Sequence, residues 1–323
     1  GIDFAWYKSN ATRQLLDLPL DPFSGYSSKK INAGNIQNAG VEIMAYADIF
    51  QNPKGFSWNI TANLSFNRNK VIDLYEGINE MGLSDGSFND EVKVVARTGG
   101  LYGDIYGRKF QRVESGPDAG KIIVDAQGLP LLTSELQYLG NQQPKCMLGI
   151  TNTFNYKNIS LSFLIDARIG GKIYSATTAK LYYNGAAAGT VVNGAREEFV
   201  VPNSVTASGD SYTANTTPVT PQLYWERAGN GNLGVGEAFL YDATNVRLRN
   251  LTLGYSFDKK LLAKTPIERL RLSFTANNVW MIASHMEGID PESVSTTNTN
   301  ATGIELGAAP TSRSYTFNVT VGF

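Results

Sequence analysis

The strict alternation of apolar and polar residues in 56–67 is the feature that most constrains the fold. Phe56, Trp58 and Ile60 begin a row of apolar residues at even positions, while the odd positions carry only Ser, Asn and Thr. Such a period of two places every apolar group on one face of a β-strand. The same pattern fills 314–323, whose length of about ten residues suits a tilted strand that crosses a bilayer.

Similar stretches recur along the chain and predict an all-β protein of about ten strands. In 246–257 the apolar residues change from even to odd positions between Leu248 and Leu251. One extra residue would keep them on one face, which predicts a β-bulge near Arg249 or Asn250. Between 41–49 and 56–67, the residues 51–55 contain the Pro and Gly of a short hairpin turn. The predicted strands are 2–13, 41–49, 56–67, 92–98, 104–113, 146–156, 159–169, 246–257, 269–280 and 314–323.

Alternation alone fits both a membrane barrel and a soluble β-sandwich, because each buries one face of every strand. Two further observations favour an antiparallel up-and-down transmembrane β-barrel. The polar face of 56–67 is uncharged, whereas a sheet facing bulk water more often displays Lys and Glu. The links between strands also alternate in length, which matches a barrel with long extracellular loops and short periplasmic turns. The long links are 14–38, 71–91, 114–145, 170–245 and 281–313, and the short ones are 50–55, 99–103, 157–158 and 258–268.

Composition excludes several classes of protein. The chain has 28 basic and 29 acidic residues, so nucleic acid is not an expected partner. It has no run of about 18 apolar residues, so helices are not expected to span a membrane. Cys146 is the single cysteine, which excludes an internal disulfide. The chain lacks an initiator Met and a signal peptide, and we expect a fragment or a processed piece.

No residue pattern points to an enzyme, a cofactor or a metal site. His285 is the single histidine, so a metal site with two His is excluded, and its place in a predicted external loop suits contact with solvent or ligand. Binding chemistry is expected in the long loop 174–241. Its Tyr182, Tyr183, Tyr224 and Trp225 can stack on sugar faces or hydrogen-bond to peptides, or they can pack the loop and touch a partner.

The final strand carries a second candidate feature. Tyr315, Phe317 and Phe323 lie on its apolar face, and Phe323 falls on the rim of the short turns. On the periplasmic side, an aromatic residue at this rim lies in the interfacial girdle of a barrel. We expect Tyr315, Phe317 and Phe323 to form a C-terminal membrane-insertion signal.

Several strings, in order along the chain, resemble the C-terminal barrel region of SusC/RagA-type TonB-linked outer-membrane transporters. The strings are NAGNIQNAGVE at 32–42, FSW at 56–58, FNRNKV at 66–71, IYGRKF at 105–110, YLGN at 138–141, GITNTFNY at 149–156, VRLRNLTLGY at 246–255, ANNVW at 276–280, GIDPE at 288–292 and PTSRSYT at 310–316.

The resemblance implies a barrel of about 22 strands, of which residues 1–323 supply the C-terminal portion. It implies that the plug domain and the TonB box are absent from this chain and that another segment, either a missing N-terminal portion or a separate chain, completes the barrel. The implied function is TonB-dependent import of an oligosaccharide or an oligopeptide across the bacterial outer membrane. The implied partners are a SusD-like surface lipoprotein, TonB and membrane lipid or lipopolysaccharide. The alternatives are a self-closed barrel of about ten strands and, in another class, a secreted soluble β-protein that binds carbohydrate or acts as an adhesin.

Overall fold

The computed structural model describes residues 1–19, 23, 25, 28–52, 55–83, 91–209, 211–229, 235–294 and 300–323. Strands dominate these residues. The helices are α1 (Ala176–Tyr183), α2 (Pro221–Gly229), α3 (Lys259–Leu262) and a 3-10 helix, Ala188–Thr190. The strands are β1 (Ile2–Pro19), β2 (Ser28–Phe50), β3 (Phe56–Asp73), β4 (Glu80–Gly82), β5 (Val92–Arg97), β6 (Tyr102–Gly107), β7 (Ile122–Val124), β8 (Gln137–Asn141), β9 (Cys146–Tyr156), β10 (Ile159–Ile169), β11 (Lys172–Ser175), β12 (Phe199–Val200), β13 (Ser204–Ser208), β14 (Ser211–Ala214), β15 (Pro218–Val219), β16 (Leu240–Asp242), β17 (Asn245–Ser256), β18 (Arg269–Ser284), β19 (Ile304–Glu305) and β20 (Ser314–Gly322).

Eight of the strands form one antiparallel sheet, which we call the wall. Its order is β1-β2-β3-β9-β10-β17-β18-β20, so each strand pairs with the neighbours that precede and follow it among the wall strands. The predicted all-β, antiparallel up-and-down class is therefore confirmed. Within the described residues β1 and β20 lie at opposite ends of the sheet and are not paired, so the chain does not close on itself as the self-closed alternative requires.

The register places apolar side chains of successive strands opposite one another. Trp58 pairs with Phe154, and Phe274 pairs with Phe317, with ring centroids 5.7 Å and 4.9 Å apart. Directly opposed residues share a face, so these pairs belong to one continuous apolar row across the wall. The row is Phe50, Trp58, Phe154, Leu161, Leu253, Phe274 and Phe317.

The apolar face of the wall is not covered by a second layer of the described chain. Phe317 is 79% exposed and Phe4 is 66% exposed, and none of the Phe56, Trp58 and Ile60 row joins a buried cluster. From Phe56 to Phe66 the strand rises about 34 Å along its own axis. For a strand tilted by about 45° from the barrel axis this is a height of about 24 Å, close to the height of the apolar band of outer-membrane barrels. No helix among the described residues is long and apolar enough to cross a membrane.

Two of the ten predicted strands do not belong to the wall. The segments predicted at 92–98 and 104–113 form β5 and β6, which pair with β4 and β8 in a separate four-stranded sheet. The physical reason is burial on both faces: Val92, Val94 and Val95 are completely buried, and a wall strand would expose every second residue. The segment 92–98 therefore lacks the alternation that marks the wall.

The links between wall strands fall on two rims. The links 51–55, 157–158 and 257–268 lie on one rim, which we call the short-turn rim, and 20–27, 74–145, 170–244 and 285–313 lie on the long-loop rim. The link 20–27 between β1 and β2 is much shorter than the predicted link 14–38. The reason is that β1 and β2, with 18 and 23 residues, stay paired with each other past the end of the pairing between β2 and β3. In the predicted turn 51–55, Gly55 N donates to Asn52 O at 3.0 Å, while Pro53 and Lys54 lie outside the described residues.

The buried core lies in the long loops and not in the wall. Tyr174 of β11 and Phe239 come from the link 170–244, and Ile304 of β19 comes from 285–313. They pack in one cluster with Val92 and Ile105 of the link 74–145. Three of the long-loop links thus fold together into a layer, which we call the loop layer, that sits on one rim of the wall. Its core forms as a soluble domain's core does, by burial of apolar side chains from distant parts of the chain.

Candidate functional site

The polar face of the wall carries a cross-strand ladder of hydroxyl and amide groups. Thr252 Oγ1 lies 3.0 Å from Thr275 Oγ1, and Asn59 Nδ2 donates to Asp48 Oδ1 at 2.9 Å. These residues belong to a row one register step from the apolar row, and every member is polar. The row is Asp48, Asn59, Thr153, Ser162, Thr252, Thr275 and Thr316. Apart from the Asp48 carboxylate, these groups are uncharged hydroxyls and amides, which can hydrogen-bond to a passing polar solute.

The predicted bulge in β17 is confirmed at Arg249. Leu164 pairs with Asn250 and Ile165 pairs with Leu248, so Arg249 has no partner in the ladder to β10. On the other side, the register with β18 shifts at the same place, where Asn278 has φ of +50°. The extra residue keeps the apolar face in phase and brings Arg249 to the polar face.

Arg247 makes a nearly buried ion pair with the long loop that follows β18. Its guanidinium contacts both carboxylate oxygens of Asp290, and its Nη1 donates to Thr311 Oγ1 at 2.9 Å. The side chains of Arg247 and Asp290 are only 5% and 7% exposed. Burial alone would raise the pKa of Asp290, but the hydrogen bonds from Arg247 and Thr311 hold it well below its usual range.

Arg249 extends this pair into a network. It donates to Asp166 Oδ2 of β10 at 2.5 Å and to Glu292 Oε1 of the loop at 2.7 Å, and Arg168 Nε lies 3.3 Å from Glu292. Burial opposes ionisation of Glu292, yet the hydrogen bond from Arg249 and the charges of Arg168 and Arg247 lower its pKa. The network therefore fastens the loop 285–313 to the polar face of the wall.

A polar cleft of about 960 Å³ opens in the loop layer. Lys109, Arg112, Glu114 and Glu135 give it both signs of charge, and Tyr212 adds an aromatic face that is 37% exposed. Glutamine, serine and threonine side chains complete the lining, so the cleft offers donors and acceptors to hydroxyl or peptide groups. The other lining residues are Phe110, Gln111, Val113, Ser115, Ile123, Thr133, Ser134, Gln137, Leu139, Glu237 and Leu240.

Three of the four predicted loop aromatics meet in one stack. Tyr182 and Trp225 have ring centroids 4.1 Å apart, and Tyr224 meets Trp225 edge to face at 4.9 Å. Phe239 and Phe199 flank them, and all three predicted residues are partly buried against the cores of the loop layer. Burial and the Glu237 carboxylate raise the pKa of Tyr224, so its hydroxyl remains neutral. This packing accounts for the three residues without a ligand.

The other predicted residues lie on the surface. Tyr183 is 38% exposed and packs beside Gly229, and His285 is exposed directly after β18. Tyr315 and Phe317 lie on the edge strand β20 and Phe323 directly follows it; the three side chains are 60%, 79% and 83% exposed. Neither Tyr183 nor His285 lines the polar cleft.

The charged network was not anticipated from the sequence. Two of its members, Arg247 and Arg249, flank the phase slip in β17, and Asp166 stands in the mostly apolar 159–169. A charge on a wall strand beside a predicted bulge is the signal that points to them. Among the described residues, no group of three or more His, Cys, Asp and Glu has an arrangement that could hold a metal ion.

Comparison with known proteins relates the chain to TonB-dependent receptors. TonB-dependent receptor P3 of Formosa agariphila is 26% identical over the full chain, and TonB-dependent receptor SusC of Bacteroides thetaiotaomicron is 24% identical over 90% of it. The RagAB peptide transporter structure matches the whole chain with a TM-score of 0.66 at 19% identity. No family model matches the chain.

Sequence similarity to receptor P3 and similarity of fold to the RagAB structure both extend over the whole chain. The chain is similar to the SusC/RagA-type TonB-dependent transporters. It spans about a third of their length, 32% of receptor P3 and 33% of the RagAB chain. The matched structures are transporter barrels, which agrees with the antiparallel wall of eight strands.

Proposed function

We propose that residues 1–323 form the C-terminal part of the barrel of a TonB-dependent importer in a bacterial outer membrane. Eight strands of about 22 make about a third of such a wall, and the chain spans 32% of receptor P3. The remaining strands, the plug and the segment that binds TonB would belong to the rest of the longer protein. The relatives are receptors and transporters, which supports a role without covalent chemistry.

One observation carries the membrane assignment. The apolar face of the wall exposes a contiguous surface, with Trp6, Phe4 and Phe317 each more than 60% exposed. A surface of this extent marks contact with another apolar phase. A soluble β-sandwich would cover it with a facing sheet, and the described residues contain none.

The orientation follows from the rims. The short-turn rim suits the periplasmic side, and the loop layer then faces outward. Phe323 ends on the short-turn rim, where an aromatic residue serves as an interfacial anchor and, with Tyr315 and Phe317, as an insertion signal. The exposed surface of the loop layer would receive a SusD-like lipoprotein that closes the mouth.

The imported solute is an oligosaccharide or an oligopeptide. The polar cleft offers paired charges, amides, hydroxyls and the ring of Tyr212, which suit either class. The cleft would capture the solute, TonB acting on the plug would open a path, and the hydroxyl and amide ladder would line it. The RagAB structures are described as a peptide transporter, which supports the peptide branch for the related chain.

Accessibility of single cysteines in the full-length protein tests the membrane assignment. With Cys146 replaced by Ser, Ile60→Cys on the apolar face should react only with a bilayer-soluble maleimide, and Thr61→Cys on the polar face should react with a water-soluble one. Equal labelling of both positions by the water-soluble reagent would refute the proposal. Uptake of labelled oligosaccharides and oligopeptides by cells with and without the protein then distinguishes the two solute classes.

A further inference from the structure

A notch of about 790 Å³ lies where the wall meets the loop layer, and it combines an apolar wall with cations. Trp6, Val41 and Phe66 oppose one another in register on β1, β2 and β3, at the end of the apolar face. Trp6 is 65% exposed and Phe66 is 43% exposed. The part of the notch lined by these three residues therefore continues the apolar surface that we assign to lipid tails.

Cationic side chains lie next to these apolar residues, on the side of the long-loop rim. Arg68 is two positions beyond Phe66 on the same face of β3, and Lys145 and Lys172 reach the notch from the links beside β9 and β10. The stems of the two lysines lie against glycines: an added Cβ would come within 2.6 Å of Lys172 at Gly140 and 3.0 Å of Lys145 at Gly170. Side chains at these two glycines would displace the lysines.

The charges of the notch are not balanced. Lys172 Nζ lies 3.3 Å from Asp242, the only carboxylate of the lining. Although burial alone would raise the pKa of Asp242, Thr244 and Lys172 hold it below its usual range, so this carboxylate neutralises Lys172. The side chains of Arg68 and Lys145 make no hydrogen bond or ion pair with the described residues. Two cations are left for a ligand.

We propose that this notch binds a lipid of the outer leaflet through its phosphorylated headgroup. Phosphate accepts the hydrogen bonds of Arg68 and Lys145, and the acyl chains lie along Trp6, Val41 and Phe66. A free anion would leave the apolar half of the notch unused, and a neutral lipid would leave the cations unpaired. The inference rests on the proposed membrane position of the wall.

Native mass spectrometry of the full-length protein released from nanodiscs tests the site. The probes are lipid A, its dephosphorylated form and inorganic phosphate. Arg68→Gln/Lys145→Gln should reduce the preference for phosphorylated over dephosphorylated lipid A about 30-fold, because each cation near the headgroup contributes a factor of about five. The matched control Lys260→Gln/Lys264→Gln, at exposed lysines of the short-turn rim, should keep the preference of the parent protein.

A second variant tests the apolar half of the notch. Phe66→Ala should weaken the binding of phosphorylated and dephosphorylated lipid A by the same factor. An unchanged preference in Arg68→Gln/Lys145→Gln, or an equal loss in the control, would overturn the site. Displacement of lipid A by inorganic phosphate at similar concentrations would assign the notch to a free anion and overturn the lipid. A protein that does not enter nanodiscs would contradict the proposed function itself, whereas an inserted protein without preference contradicts only the site.

Discussion

The junction between the wall and the loop 285–313 depends on the ion pair of Arg247 and Asp290. Both side chains are more than nine-tenths buried, and the Asp290 carboxylate also accepts hydrogen bonds from Thr311 N at 3.0 Å and Glu292 N at 2.9 Å. Asp290→Asn removes the charge and leaves the buried guanidinium with only the Glu292 carboxylate, 3.8 Å from Arg247 Nε, as a counter-charge. Breaking a buried pair in this way costs about 3–5 kcal/mol.

The pH dependence of the junction follows from the lowered pKa of Asp290. Folding favours the ionised form, so its contribution is fully present above the ordinary aspartate pKa of about 3.9 and is lost as the pH falls through the lower folded value. Above that range the junction should be insensitive to Asp290 protonation. Asp290→Asn should remove this acid-side dependence.

Amide hydrogen exchange in residues 300–313 of the full-length protein measures the opening of the loop. Under conditions where the loop recloses faster than its open amides exchange, Asp290→Asn should speed exchange there at least roughly 10²-fold, from the lower end of the cost above. Asp258→Asn, at an exposed position on the short-turn rim, is the matched control and should change nothing there. Unchanged protection in Asp290→Asn would show that the loop is held by other contacts, and the argument would fail.

Three further predictions concern the wall, the aromatic stack and insertion. Ile60→Arg, near the middle of the apolar band, should destabilise the inserted barrel by about 2–4 kcal/mol in denaturant titrations in lipid, while Thr61→Arg on the polar face should cost much less. Trp225→Ala should lower the free energy of unfolding of the loop layer by about 3–5 kcal/mol, and the partly exposed Tyr183→Ala by far less, as read from thermal melts. Phe323→Ala should reduce the fraction assembled in the outer membrane several-fold, and undiminished assembly would remove the signal role.

The wall could be predicted from the sequence because its information is local. A strand with one face in lipid and one on a polar surface must alternate, and 56–67 does so without exception. The bulge at Arg249 was predictable for the same reason, since a slipped phase needs one extra residue. The loop layer could not be predicted, because β5 is buried on both faces and the core of the layer joins Tyr174, Phe239 and Ile304, which are far apart in the sequence.

The candidate site was predicted only where a local pattern describes it. The polar ladder follows from the polar positions that alternate with the apolar ones along each strand. The partners of Arg249 do not, because Glu292 and Asp166 are 43 and 83 positions away and no periodicity connects them. The aromatic residues of 174–241 were singled out for their chemistry, and composition could not show that Tyr182 and Trp225 stack on one another inside the layer.

The two layers of the chain are stabilised by different physics. The loop layer buries Val92, Val94 and Ile105 away from water, so the hydrophobic effect supports it. The wall gains little from that effect when its apolar face meets lipid, and it depends on complete hydrogen bonding of its strands. The outer edges of β1 and β20 are unpaired within the described residues, and open edges are not tolerated in hydrocarbon. In the importer proposed above, further strands must therefore pair with both edges, and the loop layer should resist denaturation in water better than the wall without them.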